Sequence, residues 1–145
     1  MMTPPDSFRF HYYNANPRDV KTCDCVIRAL SVAMEKPYEF IMKELLDLAI
    51  ETGFFLNDPP NYAEYLKRCG WTKHPQPTYL DFLGRKRKYT GTEFCGKIAC
   101  GTPVLAHIGS HHIVAIRPYN DMMKIWDTWD SSPNRIGYYW TKDAC

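Results

Sequence analysis

One thiol, one imidazole and one carboxylate, far apart in the chain, could together perform nucleophilic chemistry. Cys25 stands directly before a run in which Val26, Ile27, Ala29, Leu30, Ala33 and Met34 recur at helical spacing, with Thr22 or Asp24 placed to cap it. At a helix start, unpaired amide groups and the positive end of the helix dipole converge, and both favour a thiolate. Cys23 precedes the helix and lies outside that convergence. A cysteine taken alone reads more often as a small apolar core residue. The weight therefore rests on the groups available to Cys25 further along.

Those groups sit on consecutive strand-like segments. Ser110-His111-His112-Ile113-Val114-Ala115-Ile116 is followed, after a turn at Tyr119-Asn120-Asp121, by Met123-Lys124-Ile125-Trp126-Asp127. In an antiparallel hairpin, opposed residues share a face and alternate residues stay on it. If Asn120 and Asp121 form the loop, Tyr119 opposes Met122, Val114 opposes Asp127, and His112 lies diagonal to Asp127 on the same face. Any even loop keeps that parity, whereas an odd loop would pair the His112 face with Trp126 and Thr128. Ile116 and Ile125 share the His112 face and mark it as the core side, so His112 and Asp127 are expected to meet at the edge of the core. The other face offers His111 with Asp130, beside Arg117 and Lys124, whose charges suit solvent. A helix-start cysteine, a strand histidine and a next-strand aspartate, in that order, fit nucleophile, base and orienting acid.

Other chemistries have weaker support in the residues. Cys95 with Cys100, and His107 with His111, have spacings acceptable for zinc, but Val104, Leu105 and Ala106 between the pairs read as a core strand. No metal or other cofactor is expected. The run Arg85-Lys86-Arg87-Lys88 could touch phosphates, yet it lacks interleaved aromatics. It reads as a solvated loop or a surface that steers an acidic protein substrate, not as a nucleic-acid reader. Six cysteines (Cys23, Cys25, Cys69, Cys95, Cys100 and Cys145) form an even set, but the amino terminus shows no export-like leader, so thiols in a reducing cytoplasm are expected rather than disulfides.

The elements that must position these groups follow from pattern and punctuation. After an irregular stretch to about Pro17 comes the helix of Cys25, with Arg28, Ser31 and Glu35 as its polar stripe. Pro37 opens a second helix that ends at Gly53, and a third runs from about Asn61 to Cys69, closed by Gly70. Trp71 to Lys88 reads as loop, and Thr90 or Thr92 opens a fourth helix to Cys100. Val104–Ile108, His111–Arg117, Met123–Thr128 and Ile136–Trp140 then read as short strands in an antiparallel meander. Helices followed by strands give an α+β class.

The chain has 145 residues, 45% hydrophobic and 23% charged, which suits one folded domain over residues 1–145 and excludes wholesale disorder. A formal charge of +2 is low for a chain that coats nucleic acid. No apolar run approaches the roughly 18 to 20 residues that cross a bilayer, so no membrane partner is expected.

Asp24-Cys25-Val26-Ile27-Arg28-Ala29-Leu30, His112-Ile113-Val114-Ala115-Ile116 and Trp126-Asp127-Thr128-Trp129-Asp130-Ser131 together resemble papain-like cysteine peptidases. The resemblance runs from about Tyr13 to Trp140 and is closest to small peptidase-like proteins of bacteriophages and bacteria, akin to bacteriocin-leader peptidases. It implies a papain-like fold, Cys25 as nucleophile, His112 as general base, Asp127 as orienting acid, and a peptide or protein substrate, in a phage setting a host protein. Papain relatives place a glutamine shortly before the nucleophile as an oxyanion donor, and Asp19 to Asp24 contains none. Asn16 or Asn14 is the candidate replacement, since an ionised Asp19 cannot donate. An inactive relative that binds or blocks a host factor, and an acyltransferase using the same triad, are the alternatives.

Overall fold

The computed structural model describes residues 3–142, so Cys145 and the first two residues of the amino terminus lie outside it. Among the described residues are helices α1 (Cys25–Met34), α2 (Tyr38–Thr52), α3 (Pro59–Arg68) and α4 (Gly91–Lys97). The strands are β1 (Phe10–Tyr12), β2 (Thr72–His74), β3 (Thr78–Leu80), β4 (Lys86–Lys88), β5 (Val104–Ile108), β6 (His112–Tyr119), β7 (Met122–Asp127) and β8 (Ile136–Thr141). The architecture is α+β, with a largely antiparallel sheet.

Helix boundaries fall where local chemistry directs them. Glu35, in the left-handed region, ends α1, and Pro37 then sets the extended backbone that leads into α2. Proline occupies the opening positions of α3, where no intrahelical donor is needed. Thr90 caps α4 through a reciprocal box with Glu93, and the helix stops at Lys97, short of Cys100.

The large sheet has the order β1-β7-β6-β5-β8-β2. Strands β5, β6 and β7 form the expected meander, but β8 returns to lie beside β5, which is a Greek-key order. Two stretches read as irregular in the sequence contribute strands. Phe10–Tyr12 pairs in parallel with β7, and Thr72–His74 pairs with β8. Residues 78–80 and 86–88 form a separate hairpin. Strands of three residues are too short to show alternation, and their partners, distant in sequence, supply the ordering.

The sheet is covered on both faces. Leu105, Ile113, Ala115 and Trp140 pack with α1, α2 and α3, while Val104, Ala106, Ile108, Val114, Ile116 and Ile125 pack with Phe94 and Cys95 of α4. This corrects the expectation that one face of the hairpin is solvated: β6 is buried from Ile113 to Ile116 without alternation. The polar stripe assigned to α1 is also corrected, because Arg28 and Ser31 are buried.

Candidate active site

The β6–β7 hairpin aligns His112 with Asp127. Its loop is Asn120-Asp121, both with positive φ, the backbone that a tight two-residue hairpin turn demands. Tyr119 pairs with Met122 and Ala115 with Trp126, which fixes the parity that sets His112 diagonal to Asp127. His112 Nε2 lies 2.5 Å from Asp127 Oδ2. His111 and Asp130 do not meet this way. Asp130 accepts from the Ser7 hydroxyl and the Ser132 N–H, and His111 lies just before β6.

Cys25 is the first residue of α1, and its thiol lies where the His112 side chain and the Ile113 N–H both favour the thiolate. With Nε2 held by Asp127, Nδ1 is the ring nitrogen left for the thiol. Burial favours a neutral thiol, but the His112 hydrogen bond and charge, the Ile113 N–H and the more distant Arg28 outweigh it and bring the Cys25 pKa below its ordinary value. Burial likewise disfavours a charged imidazole, and bonds and attraction to Asp127 and Cys25 overcome it, raising His112 to about 9. These opposite shifts favour a thiolate beside an imidazolium.

Behind the pair runs a buried polar chain that the sequence reading missed. Arg28 donates through Nη1 to Asp127 Oδ1 and through Nε to Asp24 Oδ1 at 2.7 Å. Asp24 Oδ2 accepts from the Tyr38 hydroxyl at 2.8 Å and from Asn16 Nδ2 at 3.1 Å. The Thr128 N–H also donates to Asp127. Burial, then the Asp24 bond, pushes the Tyr38 phenol up to about 12. The only sequence signal for this chain is the i, i+4 spacing of Asp24 and Arg28.

Asn16 is not brought to the nucleophile. Its side-chain amide donates to Asp24 and, more weakly, to Tyr38, and it does not line the cleft at Cys25, which corrects its candidacy as an oxyanion donor. Asp24 stands at the N-cap of α1 but makes no side-chain cap bond, so it does not cover the first-turn amides beside Cys25.

The thiol opens into a cleft of about 650 Å³ that also exposes Cys23, Asn57, Tyr62, His107 and Trp129. The centre of the Trp129 ring lies 4.9 Å from that of His112. Asn57 reaches toward the nucleophile loop, donating to the Cys23 carbonyl at 3.4 Å. Among the described residues, no group of three or more His, Cys, Asp or Glu side chains is arranged to hold a metal. Cys95 is buried under the sheet, its thiol pushed up to about 12 by burial, far from the cleft that His107 and His111 line. Among the described residues, Cys23, Cys25, Cys69 and Cys95 are free thiols. No described helix is long and apolar enough to cross a membrane.

Compared with protein-family models, curated proteins and solved structures, the chain finds no match.

Proposed function

We propose that this chain is a papain-like cysteine peptidase or isopeptidase that cleaves an amide bond through an acyl-enzyme. One observation carries the reading: His112 is held between a helix-start thiol, Cys25, and a buried carboxylate, Asp127, beside an open cleft. The Cys25 thiolate attacks the carbonyl carbon, and the C=O electron pair moves onto oxygen. The Cys25 N–H receives that oxyanion, and Asn57, which lines the same cleft, is the candidate for a second donor. The intermediate collapses, the C–N bond breaks, and the His112 imidazolium gives its proton to the departing amine. Neutral His112 then takes a proton from water, whose oxygen displaces sulfur and releases the acid. Asp127 holds the ring through Nε2 during both transfers. Asn16 being engaged by Asp24 favours one second reading, a binding protein that keeps the scaffold and the reactive thiol without turnover.

The test is alkylation with iodoacetamide across pH, followed by peptide mapping. One adduct at Cys25, formed well below the pH at which ordinary thiols react, is the expected result, kept in Cys23→Ser and lost in Cys25→Ser. Equal labelling of Cys23 and Cys25, with a pH profile of an ordinary thiol, would sink the reading. Labelling without hydrolysis of any peptide library would favour the binding protein.

A further inference from the structure

Two apolar surfaces of this chain are left uncovered, and they carry opposite charge. On α2, Met42, Leu46 and Ile50 recur at every fourth residue and Phe54 follows just past the helix, all exposed, Ile50 to 78%. The core already receives Ile41, Leu45 and Leu48 from this helix, so the outer stripe is surplus to the fold. Glu39, Glu44, Asp47 and Glu51 against Lys43 give α2 a net charge of −3. Its ion pairs, Lys43 with Asp47 and Arg68 with Glu51, are solvent-exposed and exchange readily.

The second surface is the β3–β4 hairpin. Leu80, Phe82 and Leu83 crown it, all exposed, Phe82 to 95%. Arg85, Lys86, Arg87 and Lys88 against Asp81 give the tip and its return strand a net +3. The tip is pre-organised: Asp81 accepts from the Leu83 and Arg85 N–H groups and pairs with the Arg85 and Arg87 side chains. Tyr79 fastens the hairpin to the body, donating to Glu93 and packing on Tyr89. An exposed apolar tip held in place this way calls for an occupant.

We propose that the hairpin tip of one copy seats on the α2 stripe of a second copy, with Phe82 and Leu83 over Leu46 and Ile50 and the cations of β4 facing the α2 carboxylates. Complementarity selects this occupant: each surface offers the apolar area and the sign of charge that the other lacks. From Met42 to Ile50 the stripe spans ~12 Å at the rise of an α-helix, about what a two-stranded ribbon with its side chains covers. Both surfaces stay exposed within one copy, so they do not cover each other, and the contact is head-to-tail. A bilayer would engage the basic tip but would leave the acidic α2 stripe unexplained.

Sedimentation velocity of the full chain over a concentration series tests this. The parent is expected to self-associate, less so at high salt, while Phe82→Asp and Ile50→Asp each weaken association by about tenfold or more. Both positions are exposed, and circular dichroism checks that both variants fold. Mixed in equal amounts, the two variants should form a heterodimer that grows no further, because each retains the surface the other has lost. The proposal is overturned if the parent remains a monomer at the highest attainable concentration, if Ile50→Asp associates like the parent, or if the mixture stays monomeric. A monomeric parent that pellets with phosphatidylserine vesicles in a Phe82-dependent way would assign the tip to a membrane surface instead.

Discussion

Replacing Arg28 by Gln removes the cation that two buried carboxylates share. The Arg28, Asp24 and Asp127 side chains are 11%, 5% and 2% exposed, so water cannot replace the lost charge. Removing one partner of a buried pair typically destabilises by about 3–5 kcal/mol, a large part of the roughly 5–15 kcal/mol that keeps a domain folded. At about 3 °C per kcal/mol for a chain of this length, the melting temperature should fall by about 10 °C or more. Arg28→Lys keeps the charge but not the two-armed reach from Nε to Asp24 and Nη1 to Asp127, so it should recover only part. Asp24→Asn in the Arg28→Gln background should also recover part, because one uncompensated charge goes with it. The same substitution reaches the chemistry. Cys25 loses the attraction of Arg28, and Asp127 loses a bond that aims it at His112. The rising limb of Cys25 alkylation should therefore move to higher pH. Thermal melts and alkylation profiles of the parent, Arg28→Gln, Arg28→Lys and the double variant decide the matter. An Arg28→Gln protein that melts within a degree or two of the parent, with an unchanged profile, would show that the chain of bonds is not a functional unit.

His112→Ala should remove the Cys25 ion pair, and Asp127→Asn should then add little, since both act through one imidazole; His111→Ala should leave the alkylation profile in place, and a collapse there instead would move the base to the wrong residue. The charged form of His112 contributes stability because its folded pKa, about 9, lies above the ordinary 6.5. That contribution is complete below pH 6.5 and is lost as pH rises through about 9, so the melting gap between parent and His112→Gln should narrow over that window; a widening gap contradicts the shift. Gly91→Ala places a methyl 2.8 Å from Ile125 Cδ1 and 3.0 Å from the Ser132 Cα, which should cost about 1–3 kcal/mol in a denaturant titration and leave Cys25 reactivity intact.

The grouping of Cys25, His112 and Asp127 was legible because each residue sat on an element with a strong local signal. Apolar spacing and nearby capping residues announced the helix start at Cys25, and the Asn120-Asp121 turn fixed the hairpin register, so counting residues sufficed to join His112 to Asp127. The remainder of the site depends on contacts with no local signature. Arg28 looks like an ordinary solvent-facing residue of an amphipathic helix until Asp127, nearly one hundred positions away, arrives to bury it. Asn16 looked like a donor because it precedes the nucleophile, yet nothing local says that Asp24 will claim its amide. In the fold, strands β1 and β2 went unread for the same reason: each has three residues, and pairing with β7 or β8 alone makes them strands.

Asp24 links the stability of α1 to the chemistry at its end. An aspartate at an N-cap would ordinarily turn its carboxylate onto the first-turn amides, worth about 1 kcal/mol to the helix. Here the carboxylate turns the other way and takes Arg28, Tyr38 and Asn16 as donors. The amides beside Cys25 are thereby left uncovered, which is the state a thiolate and a developing oxyanion require. The forgone cap is offset by three side-chain bonds, and the Arg28 among them continues to Asp127 and so to His112. One backward turn of a side chain thus both opens the helix end to negative charge and anchors the carboxylate that holds His112. Neither consequence follows from the identity of Asp24 alone; both follow from where its two oxygens point.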